Sequence, residues 1–226
     1  MKVRLVVATR ESESGFYTST ATGRSIQAFG RGPFELHLFV NNKEGLPKVY
    51  NKVIEQVKDP ETLLVFAHDD LHLLDYFWHM RLHDAAQRFH VVGLAGNKRR
   101  VPGQPSWAFT DASLSWDVQE NLSGVVGHGT GFPPTNLSVF GPPRQAVKLL
   151  DGLLLAVFVK TLQQYQLAFD ERFDFHFYDM DFCRQVEANG LTCGTVDLPL
   201  IHESGGSFNT DAWRSAYQTY LSKWGD

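Results

Sequence analysis

The first 95 residues alternate between compact apolar runs and segments of helical spacing, and this alternation narrows the fold more than any other feature. Val3 to Ala8 is a β-branched run that reads as a buried strand. Leu36 to Val40 and Leu63 to Ala67 repeat the pattern, and His90 to Ala95 closes it. Between them, Val49 to Lys58 carries apolar residues at helical spacing and stops at Asp59-Pro60. Leu71 to Phe89 reads as a long helix with Asp69 or Asp70 placed to cap it. Residues 10–33, rich in Ser, Thr and Gly, read as a loop with at most a short helix. Strand–helix alternation implies an α/β domain with an open, mostly parallel sheet and helices on both faces. Ligands of such sheets sit at the carboxyl ends of the strands.

The pattern breaks over residues 96–135, which are rich in Gly and Pro and contain Trp107 and Trp116. An irregular stretch of this length inside a compact domain is usually functional. Beyond it, Asn136 to Phe140 and Leu153 to Val159 read as strands. Asp179 to Asn189 reads as a short helix stopped by Gly190, Leu191 to Ile201 as a last strand, and Asp211 to Trp224 as a terminal helix. No repeat or linker divides the chain. The expectation is one domain over 1–226, with 1–95 as a nucleotide-binding half and 96–226 as an acceptor-binding and catalytic half.

Composition bounds the function. Hydrophobic residues make up 43% of 226, enough for a sizeable core, and the net charge of −4 argues against a general nucleic-acid binder. Cys183 and Cys193 form neither a disulfide framework nor a metal knuckle, so a reduced, cytosolic setting is the simpler reading. The N-terminal apolar run is too short and too β-branched for a signal peptide. The longest uncharged apolar stretch, between Asp151 and Lys160, is far short of a transmembrane segment.

Three segments carry chemistry. Val65-Phe66-Ala67-His68-Asp69-Asp70 runs an apolar strand into a His and two carboxylates, which suit a divalent cation bridging phosphates or, equally, the start of a helix. Phe173 to Cys183 crowds aromatic residues around Asp179 and Asp181. A desolvated carboxylate there has a raised pKa and suits a general base; the alternative is a helix cap. Leu198 to Ser207 delivers His202 to a strand end followed by a Gly-Gly loop, and a lone histidine of this kind is either a metal ligand or structural.

In this order the three segments resemble the GT-A glycosyltransferases, closest to family 2 and its glycosyltransferase-like relatives. His68-Asp69-Asp70 is similar to that family's Asp-x-Asp or His-x-Asp strand end. Tyr178-Asp179-Met180-Asp181-Phe182-Cys183 is similar to its Glu-Asp-x-Asp-hydrophobic-Cys segment, and His202-Glu203-Ser204-Gly205-Gly206-Ser207 to its His-x-x-Gly-Gly-Ser. Leu150 to Ala156 resembles the acceptor-side segment. The chain departs from the pattern at His68, where an Asp is usual, and at Tyr178, where a Glu is common. Asn41 and Asn42 follow the second strand where relatives carry a nucleotide-binding Asp. Gln-x-x-Arg-Trp, the mark of processive synthases, is missing, which favours transfer of a single sugar.

The resemblance implies an inverting transferase that moves a sugar from a nucleotide-diphosphate donor to the hydroxyl of a glycan or other acceptor. It implies Mn²⁺ or Mg²⁺ held by Asp70 and His202, with His68 as a further ligand, and Asp179 as the base. Thr9, Arg10, Glu11, Asn41 and Asp69 fall to the nucleotide, and Trp107, Asp151 and Gly152 to the acceptor. Two rivals stand beside this reading. One is a non-catalytic binding protein that keeps the GT-A shell. The other is a zinc protein using His72, His79 and His83 on the long helix, of which 79 and 83 have i,i+4 spacing.

Overall fold

A computed structural model describes residues 1–30 and 32–225. The strands are β1 (Lys2–Ala8), β2 (Glu35–Phe39), β3 (Thr62–Ala67), β4 (Leu71–Leu73), β5 (Val91–Gly93), β6 (Ala95–Asn97), β7 (Leu122–His128), β8 (Asn136–Gly141), β9 (Ala146–Val147), β10 (Leu149–Leu150), β11 (Leu154–Phe158), β12 (Cys193–Thr195) and β13 (Leu200–His202). The helices are α1 (Glu13–Ser19), α2 (Ala21–Phe29), α3 (Leu46–Gln56), α4 (Trp78–Ala85), α5 (Val159–Tyr165), α6 (Tyr178–Ala188) and α7 (Asp211–Trp224).

The central sheet has the order β2-β1-β3-β11-β5-β12-β9. Strands β2, β1 and β3 are parallel; β11 runs against both β3 and β5, β12 follows β5, and β9 opposes β12. Five strands therefore share one direction, and β11 and β9 oppose them. Every residue of β3 is buried, so both faces of the sheet centre are covered. A second sheet, β10-β6-β7-β13-β4 with β8 on β7, contributes Leu71, Ala95, Leu122, Leu150 and Leu200 to the same hydrophobic core.

Three readings of the sequence need correction. Leu71 to Phe89 is not one helix. Leu71-His72-Leu73 is a strand with a buried–intermediate–buried alternation, paired antiparallel to β13, and the helix begins only at Trp78. A period of two over three residues was hidden by the helical spacing that follows. Asp69 and Asp70 consequently cap no helix, and His72 is not on the helix that holds His79 and His83. Residues 10–33 hold two helices rather than a loop. Ser12 accepts the Gly15 N–H and Thr20 accepts the Gly23 N–H, so each helix starts on a side-chain cap. The expected strand over Leu191 to Ile201 is two short strands, β12 and β13, in different sheets.

Candidate active site

The carboxyl ends of β1 and β3 lie side by side, because Val7 registers with Ala67. Thr9, Arg10 and Glu11 leave β1 at this rim, and His68, Asp69 and Asp70 leave β3. The segment after β2 is stitched to the same place: Asn42 N–H donates to Thr9 O at 2.8 Å and Asn41 N–H to Glu11 O at 2.8 Å. His202 arrives from far along the chain through the antiparallel β4–β13 pair, in which it registers with Leu71, and Glu203 N–H donates to Asp70 O at 3.0 Å. The strand that was read as helix is thus the element that brings His202 to Asp70.

The ligand-type atoms of His68, Asp70 and His202 all lie within 4.8 Å of one another. His202 Nε2 is 3.2 Å from Asp70 Oδ2, and His68 Nδ1 is 3.9 Å from Asp70 Oδ1. Burial alone would raise the Asp70 carboxyl, but its hydrogen bond to His202 and the charge of that imidazole outweigh burial and hold it down at about 2. Burial pushes the His68 imidazole below its ordinary value. Burial also pushes down on His202, yet its contact with Asp70 dominates and raises it. Asp70 Oδ1 is buried with no hydrogen-bond partner. An ionised oxygen left unpaired in a buried site is costly, and a cation there would satisfy it. The residues fit a divalent metal. Among the described residues this is the only group of three or more His, Cys, Asp or Glu side chains so placed. The zinc alternative finds no such group: His72 Nε2 is engaged by Glu203 Oε1 at 2.7 Å, and His83 packs edge-on against Phe158.

Two cavities meet at this cluster. The first, of about 700 Å³, is polar and is lined by Thr9, Arg10, Glu11, Asn42, Asp69 and Asp70 among others. Asn41 does not line it; its neighbour Asn42 does. The second, of about 440 Å³, is walled by aromatic rings, including Trp107, Phe109, Trp116, Phe140 and Phe208, and its floor includes Asp151, Gly152, Asp179 and His202. The two share His68 and Phe175, whose rings stack at 5.5 Å between centroids.

Asp179, the second residue of α6, lines the aromatic cavity. Its Oδ2 accepts the Gly152 N–H at 2.9 Å and its Oδ1 the Met180 N–H at 2.8 Å. Burial, reinforced by the negative charge of Asp151, pushes its pKa up to about 7 despite those two donors. Asp181 lies elsewhere: it is fully buried and bonds Lys223 Nζ at 2.7 Å and Trp224 Nε1 at 2.9 Å on α7.

No family model and no curated protein matches the sequence. Solved structures do match the fold. GalNAc-T7, in a structure with UDP, GalNAc and Mn²⁺, superposes with a TM-score of 0.58 at 10% identity, over 100% of this chain and 48% of that one. TarS of S. aureus superposes at 0.53 with 14% identity, over 90% and 37%. The catalytic domain of Drosophila β1,4-galactosyltransferase 7, in complex with xylobiose, superposes at 0.53 with 12% identity, over 96% and 79%.

The chain has the GT-A fold.

It spans under half the length of the TarS and GalNAc-T7 chains it matches. Within this GT-A frame, several side chains at the two cavities had no role assigned from the sequence. Asn42, Glu203, Trp116, His128 and Phe175 all line one or the other. Phe175 and Glu203 stand inside segments already singled out for their chemistry, so their neighbours were the available signal. Trp116 and His128 both lie in the irregular stretch, His128 at the end of β7; only proximity in the folded chain groups them at the cavity.

Proposed function

We propose that this chain is an inverting glycosyltransferase that moves a single sugar from a nucleoside diphosphate to a hydroxyl of an uncharged acceptor. The observation that carries this reading is the His68–Asp70–His202 cluster at the junction of a polar and an aromatic cavity, with Asp179 on the floor of the aromatic one. Two imidazoles and a carboxylate are also a ligand set for a zinc hydrolase. The adjoining polar cleft and the GT-A fold favour the transferase.

The polar cavity takes the nucleotide, with Thr9, Arg10, Glu11, Asn42 and Asp69 around it. Its lining holds few cations against several carboxylates, so a diphosphate there needs a counter-charge. Asp70, His202 and His68 would hold a Mn²⁺ or Mg²⁺ ion, which would supply that counter-charge to a departing diphosphate; mixed imidazole and carboxylate ligation favours Mn²⁺. Asp179 accepts the acceptor's hydroxyl proton as that oxygen bonds the anomeric carbon and the bond to the diphosphate breaks on the opposite face. A base with a pKa near neutrality is matched to this task.

The acceptor's chemistry follows from the second cavity. Its walls offer aromatic faces for the apolar side of a ring. Its lining contains two carboxylates and, among the described residues, neither Lys nor Arg, which disfavours phosphorylated or carboxylated acceptors. The GalNAc-T7 and galactosyltransferase structures, whose complexes contain UDP with Mn²⁺ and xylobiose, support a donor and an acceptor of these kinds.

A screen of UDP-, GDP- and dTDP-sugars against neutral and anionic glycosides, with Mn²⁺ and with EDTA, tests the reading. Product formation that needs metal and proceeds only with neutral acceptors is expected. Metal-independent turnover, or peptide or ester hydrolysis with zinc and no transfer, would overturn it.

A further inference from the structure

The two positions at which this chain departs from the motifs it resembles, His68 and Tyr178, are in contact. His68 Nε2 lies 3.1 Å from the Tyr178 hydroxyl, and that hydroxyl lies 2.6 Å from the Gly152 carbonyl oxygen. We infer that Tyr178 is a positioning residue that fixes His68 as the Nε2–H tautomer and so leaves its Nδ1 lone pair free for the cation. This rests on the metal site of the proposed function and adds to it a residue that touches neither metal nor substrate.

The argument is one of proton counting. A tyrosine hydroxyl carries one proton and two lone pairs. The Gly152 carbonyl can only accept, so the hydroxyl proton is committed there. Towards His68 the hydroxyl can then offer only a lone pair, and a hydrogen bond at 3.1 Å requires Nε2 to carry the proton. A neutral imidazole with its proton on Nε2 has its lone pair on Nδ1. Nδ1 is the atom that faces Asp70, 3.9 Å from Oδ1, and that distance is too long for Nδ1–H to be held by the carboxylate instead. The opposite tautomer would aim an N–H at the place where a cation must sit.

The tyrosine is fixed strongly enough to impose this choice. Its side chain is buried, and its ring meets Tyr50 and Phe169 at centroid distances of 6.0 and 5.9 Å. His68 is held on its other side by Phe175, and its backbone N–H donates to Leu153 O at 3.0 Å. An outer partner that fixes the ring and tautomer of a metal-binding histidine typically changes metal affinity 10- to 100-fold when removed.

The test uses the full chain labelled with ¹⁵N-histidine, with the His68 signals assigned through His68→Gln. In the metal-free wild type at pH 7.5, nitrogen shifts should show His68 protonated at Nε2. Tyr178→Phe removes the hydroxyl and keeps the ring. It should give mixed tautomers and weaken Mn²⁺ binding, followed by the electron paramagnetic resonance of free Mn²⁺ with UDP present, by about tenfold or more. A wild-type His68 protonated at Nδ1 overturns the inference without any variant. So does a Tyr178→Phe protein, with an otherwise unchanged amide spectrum, that binds Mn²⁺ like the wild type. Failure of the wild type to bind Mn²⁺ at all would instead overturn the metal site, and with it the purpose assigned to Tyr178, even if the tautomer is as expected.

Discussion

Gly152 N–H donates to Asp179 Oδ2 at 2.9 Å, and the carbonyl of the same glycine accepts the Tyr178 hydroxyl at 2.6 Å. One residue thus holds both the candidate base and the tyrosine that abuts the metal cluster. A Cβ at Gly152 would lie 2.6 Å from the Tyr178 hydroxyl and 2.9 Å from Asp179 Cβ, inside contact distance of two side chains that are packed in. Gly152→Ala should therefore lose both turnover, by at least about 100-fold, and Mn²⁺ affinity, while the chain still folds. Steady-state kinetics and Mn²⁺ titration of the variant, with circular dichroism as the folding control, check this; a variant defective in neither contradicts it.

Asp179→Asn should abolish transfer and leave donor affinity nearly unchanged, because an amide keeps the shape but cannot take the acceptor's proton. Calorimetric titration with UDP and Mn²⁺ alongside turnover separates the two effects. Equal losses in binding and rate would assign Asp179 to the donor instead.

The raised pKa of Asp179 sets a pH dependence. Below about 7 the carboxyl is protonated and cannot act as base, so the rate should fall about tenfold per pH unit on the acid side and level off above 7. The turnover number at saturating substrates, measured from pH 5 to 9, gives the profile. A flat profile down to pH 5 would exclude a base with this pKa.

Asp181→Ala should act on stability. Its carboxylate, fully buried, joins α6 to Lys223 and Trp224 of α7, and breaking such a buried pair costs about 3 kcal/mol. Lys223 keeps Asp170 as a second partner at 2.8 Å, which limits the penalty. Urea denaturation should show the loss, and the folded fraction should turn over normally.

Trp116→Ala should raise the acceptor KM about tenfold with little change at saturation. Trp116 is 58% exposed, stacks on Phe140 at 5.9 Å and lines the aromatic cavity, so it offers an open face to a ring. An unchanged acceptor KM would remove it from the acceptor site.

Much of this was legible in the chain. The buried strands β1, β3 and β11 are dense β-branched or leucine-rich runs, and α7 falls over the residues its spacing marks, Asp211–Trp224. Asp70 and His202 could be paired in advance because each follows an apolar run expected to end at the same rim of the sheet. What could not be read is what depends on pairing between distant segments. Leu71–Leu73 is too short to betray a strand without its partner β13, and Asp179 and Asp181 look equivalent until α7 covers one of them. The aromatic rings of the irregular stretch are visible as letters, but which of them share a wall is decided by the folded loop.

The stacked rings of His68 and Phe175 are the only lining residues common to the two cavities, among those described. On the proposed function, a sugar moving from donor to acceptor passes between these two side chains. The fidelity of the proposed reaction would then hang on an aromatic ring with no acid–base chemistry of its own. Narrowing this passage slows the intended partner, whereas opening it admits the smallest competing hydroxyl, so that activated sugar leaks away as free sugar whenever no acceptor is seated.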